Sequence, residues 1–503
     1  MHLEGFAFPD STKKLSEKYK EFKYNPLGKT DLLVSEVGFG SYRIDIRSRL
    51  NEDALQKALL AGINLIDTSS TYTDGNSELL IGDVLQKLTS SKQLSREQLV
   101  IVTKAGYLQG QNYNLSQLRK VENKPFSDLV EYQEGLEHCI HPEFLEDQIT
   151  RSLGRLQIET IDVYLLHNPE YYLKWAKNNN IDLIVARKEY YLRIKKAFEY
   201  LEKEVQKGRI KHYGISSNTF PIDPDNFDFT SLETVIQIAD GISKNNHFSV
   251  IEFPMNLAET GAYTNTNQSD NMTLLKLAEN KNIGVLINRP LNAFYENKLI
   301  LLTELLVDNP PSPQQINNEF RNLNQLKESI FKNLKLYCEN KFIAEVEKDL
   351  LIFEALQNNW NEIGHISNWQ AGLNQYFLPL FNYFKNFIEN SSLKSKELKT
   401  DLFNYIVKIG NLFELITAYY NNEHLKLTNN IKKNLANSIP ELSSATNISN
   451  MAIRSLRSTM GVTTVLVGMT QPSYVTDVIN ELKIPVNKNF NWDKINFENA
   501  LKL

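Results

Sequence analysis

Three short apolar runs in the first third of the chain each end on an ionisable residue. Ile63, Leu65 and Ile66 lead to Asp67, residues 99–103 lead to Lys104, and residues 161–166 lead to His167. Runs of this length, separated by helix-length segments, read as buried strands that deliver side chains to a pocket rim. An Asp that closes such a strand needs a cation nearby, because a buried unpaired carboxylate is too costly. Small polar residues then carry the chain from Asp67 to Tyr72.

Strand-like and helix-like segments alternate from the first rim onward, which argues for a parallel sheet. Helices are expected at about 51–61 and 77–88. An irregular stretch from 107 to 141 follows Lys104, longer than an ordinary βα connection and therefore of binding-loop type. Pro142 and Glu143 open the next helix, since Pro is tolerated at the first helical position and an acidic side chain suits its positive end. A charged helix at about 188–207 leads to a strand ending in Ser216, Ser217 and Asn218, and further strands are expected at 250–257, 283–291 and 462–469. Eight strands counted from Glu36, seven followed directly by a helix, give an α/β fold of (β/α)8 or TIM-barrel type. The seventh connection is the exception. Residues 292–445 carry helical apolar spacing, as at Phe377, Leu380, Phe381, Phe384 and Phe387, and read as an all-helical insertion domain, with Pro310, Pro311 and Pro313 near its start. The expected organisation is an N-terminal arm (1–21), a first barrel part (22–291), the insertion (292–445), a last barrel part (446–490) and a C-terminal tail (491–503).

At its rim positions the chain resembles the aldo-keto reductase family, whose active site is an Asp, a Tyr, a Lys and a His at such strand ends. Here they are Asp67, Tyr72, Lys104 and His167. The segment NPLGKTDLLVSEVGFGSYR (25–43) resembles the family's N-terminal hairpin and first barrel strand, and FLEDQITRSLGRLQIETIDVYLLHNPE (144–170) is the second close match. The resemblance implies an oxidoreductase that interconverts a carbonyl (aldehyde, ketone or sugar) and an alcohol with a nicotinamide cofactor bound without a Rossmann crossover. No G-x-G-x-x-G follows a strand, in agreement. A phenol is a poor acid at neutral pH, so Lys104, kept charged by Asp67, would tune Tyr72 as general acid/base while His167 orients the carbonyl.

The resemblance also implies the cofactor contacts. Gly40 and Ser41 follow the first strand. Ser216 and Ser217 occupy the positions of the family's Ser-Asn pair that holds the carboxamide, with Asn218 just beyond. Glu252 stands where a carboxamide-binding Gln is usual, Asn288 where an aromatic ring stacks on the nicotinamide, and Arg289 near the diphosphate. Gly468, Met469, Thr470, Tyr474 and Asp477 match the adenosine end. Family habit points to NADP(H), while the lack of basic residues around Tyr474 leaves NAD(H) open.

Other features are bland by comparison. A net charge of −5 calls for neither nucleic acid nor an anionic membrane as partner, and two cysteines, Cys139 and Cys338, make no disulfide framework. A polar, Lys-rich N-terminus and the lack of a spanning apolar run point to a cytoplasmic protein. His138, Cys139 and His141 read as loop residues rather than metal ligands, and His365, Trp360 and Trp369 as helix-core residues. The competing function is a cofactor-binding regulatory or assembly protein on a retained reductase barrel. The insertion reads as a lid and pocket wall, with oligomer assembly as its rival use.

Overall fold

The computed structural model describes residues 2–296, 298–337, 343, 353–391 and 395–501. Cys338, several stretches of the expected insertion and the last two residues of the expected tail lie outside them. Two compact units are present, Met1–Asn297 with Ser438–Asn496, and Lys298–Asn437 with Phe497–Leu503.

The first unit is the expected barrel. Its strands are β1 (Val37–Gly40), β2 (Leu65–Asp67), β3 (Val100–Ala105), β4 (Ile161–His167), β5 (Ile210–Ser216), β6 (Phe248–Pro254), β7 (Gly284–Asn288) and β8 (Thr464–Gly468), closed in that order. All neighbours are parallel, and the pairing of Val465–Gly468 with Val37–Gly40 shuts the ring. Leu65, Val100, Val102, Val163, Leu165, Val250, Leu286 and Leu466 fill the interior, as branched side chains do in such barrels. Gly214 is needed on β5, because a Cβ there would meet the Val250 carbonyl oxygen at 1.8 Å.

Around the ring lie α1 (Arg49–Leu60), α2 (Asn76–Ser90), α3 (Pro142–Leu156), α4 (Leu183–Gln206), α5 (Leu232–Ile242), α6 (Leu274–Asn280), α7 (Ile448–Arg457) and α8 (Pro472–Leu482). Their starts are written locally. Ser48 accepts from the Asn51 amide to cap α1, Asp182 caps α4, and α3 begins with Pro142 while His141 accepts from the Glu143 amide. The N-terminal arm contains a helix, Pro9–Lys18, that buries Leu15, and the Ala7 amide donates to Asp162 Oδ1 at 2.6 Å.

Two expectations are corrected. The stretch 107–141 is not irregular: it holds a helix, Gly110–Val121, and a three-stranded antiparallel sheet of Tyr107–Leu108, Leu136–His138 and Val130–Gln133. Its strands are too short to announce themselves as an alternating pattern. Nor is 292–445 all helical, since Asn292–Tyr295 and Lys298–Leu301 are strands, and 438–445 group with the barrel.

In the second unit, Pro313–Tyr337, Ile366–Gly372, Leu378–Glu389 and Lys396–Ser438 are helices around a core that includes Trp369, Phe384, Ile409 and Ile416. Trp369 Nε1 donates to Thr417 Oγ1 at 2.7 Å and Trp360 Nε1 to Asn317 Oδ1 at 3.2 Å, so both indoles are satisfied core groups. His365 is half-buried at a helix start. Among the described residues no helix is long and apolar enough to cross a membrane.

Candidate active site

The ends of the barrel strands bring Asp67, Tyr72, Lys104 and His167 together. Lys104 Nζ pairs with Asp67 Oδ1 and, at 3.0 Å, with Glu252 Oε2 from β6. All three side chains are buried. The ammonium lies 5.3 Å from the centre of the Tyr72 ring, in cation–π range. Tyr72 opens a short turn, Tyr72–Gly75, in which Thr73 and Asp74 are left-handed (φ 46° and 56°). Its ring meets His167 edge-on at 5.9 Å and Tyr42 at 5.1 Å.

His167 is fixed from three sides. Ser69 Oγ lies 3.2 Å from its Nδ1, Tyr107 meets the ring edge-on at 4.7 Å, and His138 Nε2 donates to its carbonyl at 2.7 Å. Gly106 makes this approach achievable, because a Cβ there would meet the His167 carbonyl oxygen at 2.3 Å and His138 Nε2 at 2.7 Å.

Electrostatics follow from burial and from these pairs. Burial opposes the charge on Lys104, but Asp67 and Glu252 overcome it and hold the group above the ordinary Lys range. Burial, then the Glu252 charge, pushes the Asp67 carboxyl well up, with Lys104 opposing. Burial raises the Tyr72 phenol, and the Lys104 ammonium pulls it back. Burial, Lys104 and His138 drive His167 well below the usual imidazole range, so its ring is neutral. A charged amine, a protonated phenol and a neutral imidazole therefore converge on one spot, an arrangement that can hand a proton to an oxygen and hold that oxygen by a hydrogen bond.

The other sequence-derived residues divide into two groups. Ser216 Oγ and Asn288 Nδ2 both donate to Glu252 Oε1, at 3.0 and 2.8 Å, and so border the Asp67–Lys104–Glu252 cluster. Ser217 Oγ and the Asn218 amide donate instead to the buried Glu170, both at 2.9 Å. Gly40 ends β1, and Ser41 Oγ accepts from Ser77 Oγ at 2.8 Å. Arg289, left-handed at φ 51°, donates from Nη2 to Glu259 Oε1 at 2.7 Å and stacks on Phe294. Gly468 ends β8, Met469 is buried, the Thr470 carbonyl accepts from Asn51 Nδ2 at 2.7 Å, and Tyr474 and Asp477 are exposed on α8. His138 bonds to the His167 carbonyl, Cys139 Sγ donates to the Ser127 carbonyl and accepts from the His141 amide, and the His141 ring accepts at the start of α3.

Sequence reasoning missed Tyr107, Ser69, Glu170 and Lys57. Glu170 follows His167 by three residues, a local signal that was there to read. Lys57 carried none. It reaches from α1 to the first turn of α8, where Nζ donates to the Pro472 carbonyl at 2.9 Å and to Thr476 Oγ1. A cation therefore stands at Pro472 and Thr476, two residues either side of Tyr474, although the local sequence lacks one.

The sequence model of the aldo/keto reductase family matches residues 36–339, more than half of the chain. This chain belongs to the aldo/keto reductase family. Among curated members and relatives, it is 33% identical over 150 residues to the NADH-specific methylglyoxal reductase of Escherichia coli, a match covering 28% of this chain and 40% of that protein. It is 28% identical over 191 residues to the uncharacterized oxidoreductase YqkF of Bacillus subtilis, covering 38% of this chain and 47% of that one. The chain thus matches less than half the length of these two relatives. Among solved structures it is similar to the holo form of aldo-keto reductase AKR11C1 from Bacillus halodurans, with a TM-score of 0.48, 16% identity and coverage of 96% of this chain and 97% of that one.

Proposed function

We propose that this aldo/keto reductase family member is an NAD(P)(H)-dependent oxidoreductase that interconverts a carbonyl and an alcohol, with Tyr72 as general acid/base. The observation that carries this reading is the buried ammonium of Lys104, held by carboxylates and lying 5.3 Å from the Tyr72 ring.

The residues present fit a nicotinamide. Asn288 Oδ1 is buried with no hydrogen-bond partner, an acceptor suited to a carboxamide N–H, and it lies beside Ser216 and Glu252. Ser216, Glu252 and Asn288 would hold the carboxamide, Arg289 the diphosphate, and Gly468, Met469, Thr470, Tyr474 and Asp477 the adenosine end. The cofactor, when bound, supplies or accepts the hydride. NADP(H) is the cofactor proposed, because Lys57 adds the cation that a 2′-phosphate wants. NAD(H) is the alternative, favoured by the NADH specificity named for the Escherichia coli relative.

In reduction the carbonyl carbon takes the hydride, its π pair moves to oxygen, and Tyr72 gives its proton to that oxygen. Neutral His167 orients the oxygen by a hydrogen bond, and Lys104 stabilises the phenolate that remains until solvent reprotonates it. Substrates are small aldehydes, ketones or sugars. Stopped-flow absorbance of the reduced nicotinamide across such a panel tests the reading. Turnover that disappears in Tyr72→Phe supports it; cofactor binding without turnover in either protein would favour the regulatory reading, whose motive is that Ser216 and Asn288 already donate to Glu252.

A further inference from the structure

Two carboxylates share one ammonium in this centre. Asp67 from β2 and Glu252 from β6 both pair with Lys104 Nζ, and the three side chains are closed off from solvent. Both carboxyl oxygens of Glu252 face nitrogen or hydroxyl groups. Its Oε2 faces the ammonium at 3.0 Å, and its Oε1 accepts from Ser216 Oγ at 3.0 Å and from Asn288 Nδ2 at 2.8 Å. A glutamine would accept the same two hydrogen bonds but bring no charge. Glu252 thus sets a carboxylate against the Lys104 ammonium in a dry pocket, where charge interactions are strong, beside an Asp67 carboxyl that burial and Glu252 push well up. Ionising Tyr72 would add a further negative charge beside Glu252.

We propose that Glu252 is a positioning residue that holds Tyr72 as the neutral phenol and so sets this centre for giving a proton to a carbonyl oxygen rather than taking one from an alcohol. The inference rests on Tyr72 being the acid/base. Facing the phenol are Lys104 from β3, Asp67 from β2, Glu252 from β6, neutral His167 from β4, and the phenols of Tyr42 and Tyr107. Lys104 is the sole cation among these groups, and Glu252 offsets part of its pull on the phenol. Reduction, which starts from the phenol, runs unchanged across neutral pH. Oxidation needs the phenolate to accept the alcohol proton while the alcohol carbon gives its hydride to the oxidised nicotinamide, and is confined to alkaline solution.

Glu252→Gln removes the charge and keeps the shape. In cofactor-free protein, the ultraviolet phenolate band that is lost on Tyr72→Phe should form at a pH lower by roughly one unit or more in Glu252→Gln. The alkaline rise of alcohol oxidation should move by the same amount, and Glu252→Asp, which keeps the charge, should stay near wild type. Should Glu252→Gln not fold, Glu252→Ser removes the same charge and carries the same test. A phenolate titration unmoved in the uncharged variant overturns the inference, even if cofactor affinity changes. An absence of turnover in the wild type would instead sink the oxidoreductase reading and leave the titration to decide the role of Glu252.

Discussion

Arg457 donates through Nε and Nη2 to one carboxylate oxygen of Glu36, at 3.0 and 2.8 Å, with both side chains buried. Glu36 immediately precedes β1, and Arg457 ends α7, the helix through which the chain re-enters the barrel after the second unit. Arg457 Nη1 also donates to the Glu481 carbonyl at 2.6 Å, and Glu481 in turn pairs with Arg454 at 2.7 Å. The pair thus stitches the two ends of the interrupted barrel at the seam where β8 meets β1.

Removing one partner leaves the other charged and buried. Arg457→Leu is expected to cost about 3–5 kcal/mol, and the double variant with Glu36→Leu less than that single change. Urea unfolding of the three proteins checks it, and equal losses in the single and double variants would contradict it.

Tyr72→Phe keeps the ring contacts with Tyr42 and His167 but removes the proton. Its kcat for reduction should fall by roughly 10²–10⁴-fold while reduced-cofactor affinity stays close to wild type, the pattern of a lost general acid. Single-turnover kinetics with fluorescence titration distinguishes this from a binding defect.

His138 makes stability depend on pH. Burial pushes its imidazole from 6.5 down to about 4 in the folded protein. Below 6.5 the unfolded chain binds a proton that the folded chain refuses, so the unfolded state gains and stability falls as pH drops from 6.5 towards 4; above 6.5 this group has no effect. The loss is on the order of 3 kcal/mol at the acid end of that window. His138→Gln should flatten this part of the profile in denaturant melts between pH 7 and pH 5, whatever it costs at pH 7.

Lys57→Ala should weaken NADPH binding by roughly fivefold or more and leave NADH binding nearly unchanged, since a charge-assisted bond to a 2′-phosphate exists only with the former. Equal effects on both cofactors, read by fluorescence titration, would remove Lys57 from cofactor selection.

Position along the chain determined Asp67, Lys104 and His167 as strand-end residues, because a buried strand is a local apolar run and the residue that ends it is readable without knowing its neighbours. The alternation of such runs with helical periods likewise determined the barrel, since parallel strands joined by helices have few ways to close. Glu252 was legible as a departure from a glutamine, but its pairing with Lys104 was not, because β3 and β6 meet only across the closed ring. Lys57 and Tyr107 met their partners for the same reason: α1 touches α8 only after β8 has paired with β1, and Tyr107 faces His167 only once Gly106 has let two backbones approach. The limits of the second unit were also decided in three dimensions. Residues 292–296 and 438–445 pack with the barrel and 497–501 with the helical unit, a choice made by which apolar surface each segment covers, and composition along the chain does not record that.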